Sequence, residues 1–462
     1  SACLVGSEMC IRDRFSCKGT KKFLILHYIS RQITMNLPKD FIEYTRRLMG
    51  EELYAAFEKG MQEEAPVSIR LNPFKLNTAQ VCVKDRETDV PWCRNAMYLK
   101  SRPHFTFDPM LHVGLYYVQE AASMFVDHVL REVVKKPVRM LDLCASPGGK
   151  STCAYAALPA GSLLFSNEPI RQRANILNEN VLKFGVPDII VTNNYARDYQ
   201  QSKLQFDVIL TDVPCSGEGM FRKDAGAIDD WSMKKVEECA RLQREIVSDI
   251  WSCLKPGGLL IYSTCTFNAH EDEENVAWIA KELGADFIEI PTEKAWNIMG
   301  SLIDKNPVYR FVPGKTRGEG LFMAALRKYG EPADVNEERR LKEIKAIHEK
   351  ALKKLHVLSH GPLPDMMKGR QALPDHSKAL SVTADLHAYP HVEVDYQQAI
   401  AYLRTEAVTL KADAPRGIVL LTYRDLPIGF AKNLGNRANN IYPQAWKIKS
   451  SHITEDKNIV IE

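Results

Sequence analysis

"LDLCASPGGKST", residues 141–152, opens on an apolar run, breaks at Pro147, Gly148 and Gly149, and resumes as a helix-compatible stretch at Lys150. The pattern is strand, tight glycine loop, helix, which turns backbone N–H groups at the helix start toward a bound ligand. Two ligand classes fit this stretch alone, because Gly149-Lys150-Ser151 also resembles the end of a phosphate-binding P-loop. Outward from it, apolar runs recur at 138–143, 162–167, 188–192, 206–211, 258–264, 285–290 and 320–326, separated by helical stretches such as "RQRANILNENVLKFG" and "KKVEECARLQREIVSDIWSCL". Near-continuous apolar strands alternating with helices predict an α/β fold over 138–328, a parallel sheet covered on both faces. Ligands in such sheets bind beyond the carboxyl ends of the strands.

The flanks read differently. Over 35–137 short helices and strands mix, with "SIRLNPFK" (68–75) strand-like and "GLYYVQEAASMFVDHVL" (114–130) helical. Past 328 the alternation ends, and "EERRLKEIKAIHEKALKKLH" (337–356) predicts a charge-rich helix within a helical linker and intermediate domain, 329–400. A small block follows at 401–462, with β-like runs such as "GIVLLTYRD". Between Tyr402 and Lys449 eight Lys or Arg face three Asp or Glu. Its "FAKNLGNRANNIYPQAWKIKS" interleaves basic, amide and aromatic residues, which suits phosphate contact and base stacking as well as a plain basic surface.

Composition narrows the function classes. The 462 residues, 45% hydrophobic and 26% charged, are those of an ordinary soluble chain of two to four domains. No apolar run approaches the roughly 20 residues that cross a bilayer. "KKFLILHYIS" (21–30) lacks a following small-x-small cleavage site, so no export signal is read there. "VGSEMCIRDR" (5–14) resembles a translated cloning adapter and "MNLPKDFIEYTRRLMG" reads as a natural start at Met35, so residues 1–34 are set aside as a non-native prefix. The remainder carries 55 basic against 56 acidic residues; overall charge gives no argument for nucleic-acid binding. Its eight cysteines include no C-x-x-C pair, so no metal is expected. Their scatter through apolar runs suits reduced thiols in a cytoplasm.

The strand ends form one constellation. Glu168 follows the second strand at the spacing where an acid takes ribose hydroxyls. Asp212 ends the fourth strand and starts "DVPCSGEGMFRKD"; Cys265 ends the fifth in "STCTF". A P-loop would need glycine where Cys144 stands and gives no reason for Glu168 or Cys265. A hydride-transfer enzyme would show G-x-G-x-x-G, which is absent. An exocyclic-amine methyltransferase would place an aromatic residue where Cys215 stands.

Together "LDLCASPGGKST", "NEPIRQRANILNENVLKFG", "DVPCSGEGMFRKD", "YSTCTFNAHEDEENV" and "YYVQEAASM" resemble the successive motifs of the Nol/Nop/Sun RNA cytosine-5 methyltransferases, above all their bacterial RsmF-like branch, which modifies small-subunit ribosomal RNA. The resemblance runs from about Leu37 to the C-terminus. It implies a Rossmann-like class I methyltransferase sheet, an N-terminal α+β domain that helps hold RNA, and a C-terminal PUA-like α+β domain. The cofactor it implies is S-adenosylmethionine. RNA is the implied partner, 16S rRNA or the 30S subunit, with transfer RNA the main rival and a non-catalytic RNA-binding assembly factor the other alternative; a monomer is expected.

Two thiols have a chemical reason. Carbon 5 of cytosine becomes nucleophilic only after a thiolate adds at carbon 6, which turns the ring into an enamine. Spacing does not decide between Cys215 and Cys265. The family's pattern assigns attack to Cys265 and assistance in release to Cys215. Asp212 is placed to stabilise charge near N3, and Lys150 completes the catalytic set. Cys144, Ala145, Ser146, Pro147, Gly148, Gly149 and Lys150 are expected around the methionine part of the cofactor, with Glu168 on the ribose, Arg173 nearby, Asn194 of "TNNYARD" at the adenine, and Asp212 bordering both sites. Arg222 and Lys223 are expected either on RNA phosphate or in surface salt bridges.

Overall fold

The computed structural model describes residues 36–76, 81–332, 336–347, 349–369, 371–435, 437–450 and 459–461. The suspected prefix, 1–34, lies outside them. Helix α1 (Lys39–Gln62) leads into an antiparallel sheet of β1 (Val67–Leu71), β2 (Arg86–Asp89), β3 (Ala96–Leu99) and β4 (Tyr116–Val118), in the order β2–β3–β1–β4. The stretch 114–130, read as one helix, divides here: Tyr116 to Val118 pair with β1, and α2 starts only at Phe125 (Phe125–Val133). Adjacent tyrosines favour a pleated, half-buried surface, and the edge of β1 supplies the hydrogen bonds.

Next come β5 (Arg139–Asp142), α3 (Gly149–Ala157), β6 (Leu163–Asn167), α4 (Arg171–Phe184), β7 (Ile189–Thr192), β8 (Phe206–Asp212), α5 (Met233–Trp251) and β9 (Leu254–Thr264). β10 (Ala285–Phe287), β11 (Tyr309–Phe311), β12 (Leu321–Lys328) and β13 (Val357–His360) complete a nine-stranded sheet, ordered β10–β12–β9–β8–β5–β6–β7–β13 with β11 on β12. β5 to β9 are parallel, as the alternation predicts. The outer strands correct that expectation: β12 runs antiparallel to β9, and β13 antiparallel to β7. Antiparallel additions need no further crossover helix, and they cover edges that would otherwise present unpaired backbone groups.

β13 also departs from the helical linker read over 329–400. The charge-rich stretch is two short helices, Glu337–Lys345 and Glu349–Leu352, because Ile344, Ala351 and Leu355 anchor it into the sheet's core. A hairpin of β14 (Met366–Lys368) and β15 (Gln371–Leu373) follows. The last sheet joins β16 (His391–Glu393), β17 (Gly417–Tyr423), β18 (Leu426–Asn433) and β19 (Ala438–Asn440), so it begins ten residues before 401.

Alternate strand residues reach opposite faces. Met140, Leu164, Val208 and Ile261 pack with Phe125 and Val129 of α2 and Trp92 of the N-terminal domain, while Leu141, Phe165, Ile209 and Leu260 pack with Val247 and Ile250 of α5. The first and last sheets share a third core, in which Ile69, Met97 and Leu115 meet Ile400, Val419 and Leu421. Both flanking domains are thereby held over the carboxyl edge of the parallel strands. Among the described residues no helix is long and apolar enough to cross a membrane.

Candidate active site

At that edge lies a cavity of about 1850 Å³, walled by the parallel sheet, by Arg70, Tyr117 and Gln119 of the first domain, and by Trp446, Lys447 and Lys449 of the last. The glycine loop forms its floor. Gly148 caps α3 with φ +112°, a conformation that favours glycine, and a Cβ on Gly149 would lie 3.2 Å from the Tyr117 ring. Arg70, buried in β1, ties the loop down by donating to Thr152 Oγ1 (2.7 Å), Gly149 O (3.4 Å) and Gln119 Oε1 (3.2 Å). Sequence reasoning missed this arginine. A charged residue inside the apolar "SIRLN" run was its only signal.

The structure brings together nearly all of the expected site. Cys144 to Pro147, Gly149, Lys150, Glu168, Arg173, Asn194, Asp212, Cys215 and Cys265 line the cavity, while Gly148 sits behind it against Leu177. Glu168 is 2% exposed; its carboxylate accepts from Ile170 N (3.0 Å) and pairs with Arg173 at 3.4 Å. Burial raises its pKa above the usual carboxylate range, and Arg173 pulls the other way. Arg173 also donates to Ser146 O (3.3 Å), so its charge serves the loop and the acid together. Burial holds Cys144 well above the thiol range. Beneath the loop, burial pushes Asp142 up to about 7, with Oδ2 accepting from Ser151 Oγ (2.6 Å) and Oδ1 unpartnered.

Asn194 lines the cavity at the end expected for a nucleobase, and its side chain is also held by the segment before β13. Its side chain is engaged by the backbone of His356, donating to His356 O (3.4 Å) and accepting from His356 N (3.0 Å). These two bonds tie it to the β13 edge and leave one amide N–H and one oxygen lone pair unused. Tyr195, 56% exposed beside it, is the ring that the cavity leaves open at this end.

At the other end Lys150 Nζ and Asp212 Oδ2 form an ion pair at 2.9 Å, and Ser263 Oγ donates to Asp212 Oδ1 at 2.8 Å. Burial alone would lower the Lys150 pKa; the Asp212 charge and hydrogen bond outweigh it and raise it. Cys215 Sγ lies 3.1 Å from Cys265 Sγ, and neither is in a disulfide. Cys215 is buried and Cys265 half-buried on the cavity wall. The hydrogen bond to Cys265, with burial, holds Cys215 well above the thiol range. Glu218 and Glu271 pin the supporting loops: Glu218 accepts from Phe267 N (2.6 Å) and Trp231 Nε1 (3.0 Å), and Glu271 from Ser216 N (3.0 Å) and Gln243 Nε2 (2.7 Å).

The two phosphate candidates part company. Arg222 is spent on backbone carbonyls of Gly60 (3.1 Å) and Gly318 (2.5 Å), locking α1 to the sheet, so it does not face the cavity. Lys223 lines the cavity, paired with Glu319 at 2.6 Å.

Known proteins resemble this chain along most of its length. Family models for the N-terminal domain of 16S rRNA methyltransferase RsmF, for 16S rRNA methyltransferase RsmB/F and for the methyltransferase RsmF PUA domain match residues 37–121, 133–327 and 389–448. The Ribosomal RNA small subunit methyltransferase F of Salmonella agona is 27% identical, over 89% of this chain and 97% of that protein; its Escherichia coli O9:H4 counterpart is 28% identical over the same shares. Among solved structures, a methyltransferase homolog from Pyrococcus horikoshii superposes with TM-score 0.54 at 22% identity, over 64% of this chain and 96% of that one. NSun6 from the same organism, with SFG, gives TM-score 0.53 at 21% identity, over 64% and 99%. At such identities the superpositions establish a shared methyltransferase fold.

Proposed function

The chain belongs to the family of the 16S rRNA methyltransferases RsmB/F, and on that premise we propose that it methylates carbon 5 of a cytosine in 16S rRNA through a covalent adduct of Cys265. The observation that carries this reading is the pair of thiols 3.1 Å apart on the cavity wall, beside the 2.9 Å Lys150–Asp212 pair. S-adenosylmethionine fits the other end. The loop is bare of a side chain at Gly149, which suits the approach of its methionine part, and the buried carboxylate of Glu168, steadied by Arg173, suits its ribose hydroxyls. When bound it supplies an electrophilic methyl group.

Cys265, the more exposed thiol, adds as thiolate to carbon 6, and the ring electrons move to carbon 5. Cys215, held protonated, is a proton source for release of the Cys265 sulfur. Asp212 and Lys150 stabilise charge developing at N3; both Asp212 oxygens already accept hydrogen bonds, so the proton in play is that of the Lys150 ammonium. After methyl transfer the carbon-5 proton passes to solvent, its bonding electrons restore the carbon 5–carbon 6 double bond, and the Cys265–carbon 6 bond breaks, the departing sulfur taking the Cys215 proton. The basic, aromatic rim of Trp446, Lys447 and Lys449 supports an RNA strand entering between the outer domains.

Bisulfite sequencing of total RNA from cells with and without the gene tests the substrate. A cytosine in 16S rRNA loses its signal on deletion. Loss in transfer RNA instead overturns the rRNA assignment, and loss nowhere overturns the enzyme reading in favour of an assembly factor.

A further inference from the structure

We propose that Glu319 accepts a hydrogen bond from the 2′-hydroxyl of the target nucleotide and makes the enzyme selective for ribose. The inference rests on the Cys265 reading above. Strands β12, β9, β8 and β5 are consecutive neighbours, so at the carboxyl edge Glu319, Cys265, Asp212 and the glycine loop follow one another across the cavity. β12 begins two residues after Glu319, and Phe322 pairs with Thr264, which sets Glu319-Gly320 beside the Cys265 loop. A Cβ on Gly219 would lie 2.7 Å from Cys265 O and 3.4 Å from Gly320 O, so the two segments flank one point.

The reaction then fixes the orientation of the base. In a pyrimidine the neighbours of carbon 6 are carbon 5 and N1. With carbon 6 on Cys265 and carbon 5 turned toward the glycine loop, N1 and its ribose point the other way, toward β12. Two carboxylates line the cavity there, Glu120 and Glu319; the Glu120 oxygens are taken by the backbone N–H groups of Ala122 (2.8 Å), Ser123 (2.7 Å) and Glu319 (3.1 Å), which leaves Glu319, 5% exposed. Its Oε1 is held by Lys223 at 2.6 Å, whereas Oε2 is buried without a hydrogen-bond partner. A carboxylate can only accept, and among the groups on that side of the nucleotide the 2′-hydroxyl is the donor. Lys223 is set beside it to meet the adjoining phosphate.

The test uses the full-length enzyme and oligonucleotides spanning the bisulfite-mapped cytosine, with either ribose or 2′-deoxyribose at that one nucleotide. The wild type favours the ribo substrate by roughly 10- to 100-fold in kcat/KM, the effect of one hydrogen bond to a charged group. In Glu319→Ala the preference falls to within about twofold, and in Glu319→Gln, which keeps an accepting oxygen, part of it returns. Lys223→Ala weakens both substrates and preserves the ratio. A preference that survives in Glu319→Ala, or a wild type indifferent to the sugar, overturns the proposal. Covalent trapping on a 5-fluorocytidine oligonucleotide separates the two readings: if the wild type traps RNA but shows no sugar preference, only the role of Glu319 falls, whereas no trapping at all removes the Cys265 reading beneath it.

Discussion

In the proposed mechanism the two thiols in contact do different work because their surroundings differ. Cys215 is buried and held as a thiol, and Cys265 has access to the cavity. Cys265→Ala is therefore expected to lower methylation at least about a thousandfold and abolish trapping on 5-fluorocytidine RNA. Cys215→Ala is expected to accumulate an RNA-linked enzyme on denaturing gels, since addition proceeds and release stalls. Asp142 gives a pH prediction. Burial moves its carboxyl up to about 7, so the folded state binds a proton that the unfolded chain releases near pH 4. That stabilisation is complete below pH 4 and is lost as the pH rises through about 7. Thermal unfolding of Asp142→Asn between pH 4.5 and 7.5 should show a flatter dependence than the wild type; an unchanged slope would refute the assignment.

Among the elements, the loops after β8 and β9 are coupled more tightly than their spacing in the chain suggests. Gly219 N donates to Cys265 O at 2.7 Å, and a Cβ at Gly219 would lie 2.7 Å from that same oxygen. The obstacle is backbone, which has no rotamer to change. Gly219→Ala should cost about 1–3 kcal/mol of stability and displace Cys265, the proposed nucleophile, so that activity falls far more than cofactor affinity does. Isothermal titration with S-adenosylhomocysteine beside a methylation assay would separate the two effects. The glycine loop after β5 behaves differently, because Gly149 is crowded by side chains, those of Tyr117 and Gln119, which can yield.

Over the whole molecule, the first and last domains act as one body. Val460 N donates to Asp108 Oδ2 (2.9 Å), Lys84 N donates to Val460 O (2.8 Å), and Ile461 forms an isolated bridge with Val83, so the last described residues are bonded to the first domain. Val460 and Ile461 are buried there at 2% and 6% exposure, each contributing about 1.5–3 kcal/mol. Ending the chain after Asn458 should loosen both flanking domains together. Hydrogen exchange would then accelerate in 67–71, 96–99 and 417–433 while β5 to β9 keep their protection; acceleration confined to the C-terminal sheet would contradict a shared core.

The order of the chemistry was legible in the residues themselves. Successive strands of a doubly wound sheet deliver their carboxyl ends to one edge, so strand-end residues such as Glu168, Asp212 and Cys265 must meet once the alternation is recognised. Periodicity and glycine placement are local properties, and a sequence records them directly. What the tertiary structure alone decided depends on register between distant segments. Arg70 reaches the loop from 79 positions away, Asn194 is tied to His356, Arg222 is consumed by α1, and β12 and β13 attach in reverse to close the sheet. No local pattern encodes those choices, because each is settled by which buried polar group finds a partner and which open edge finds a strand.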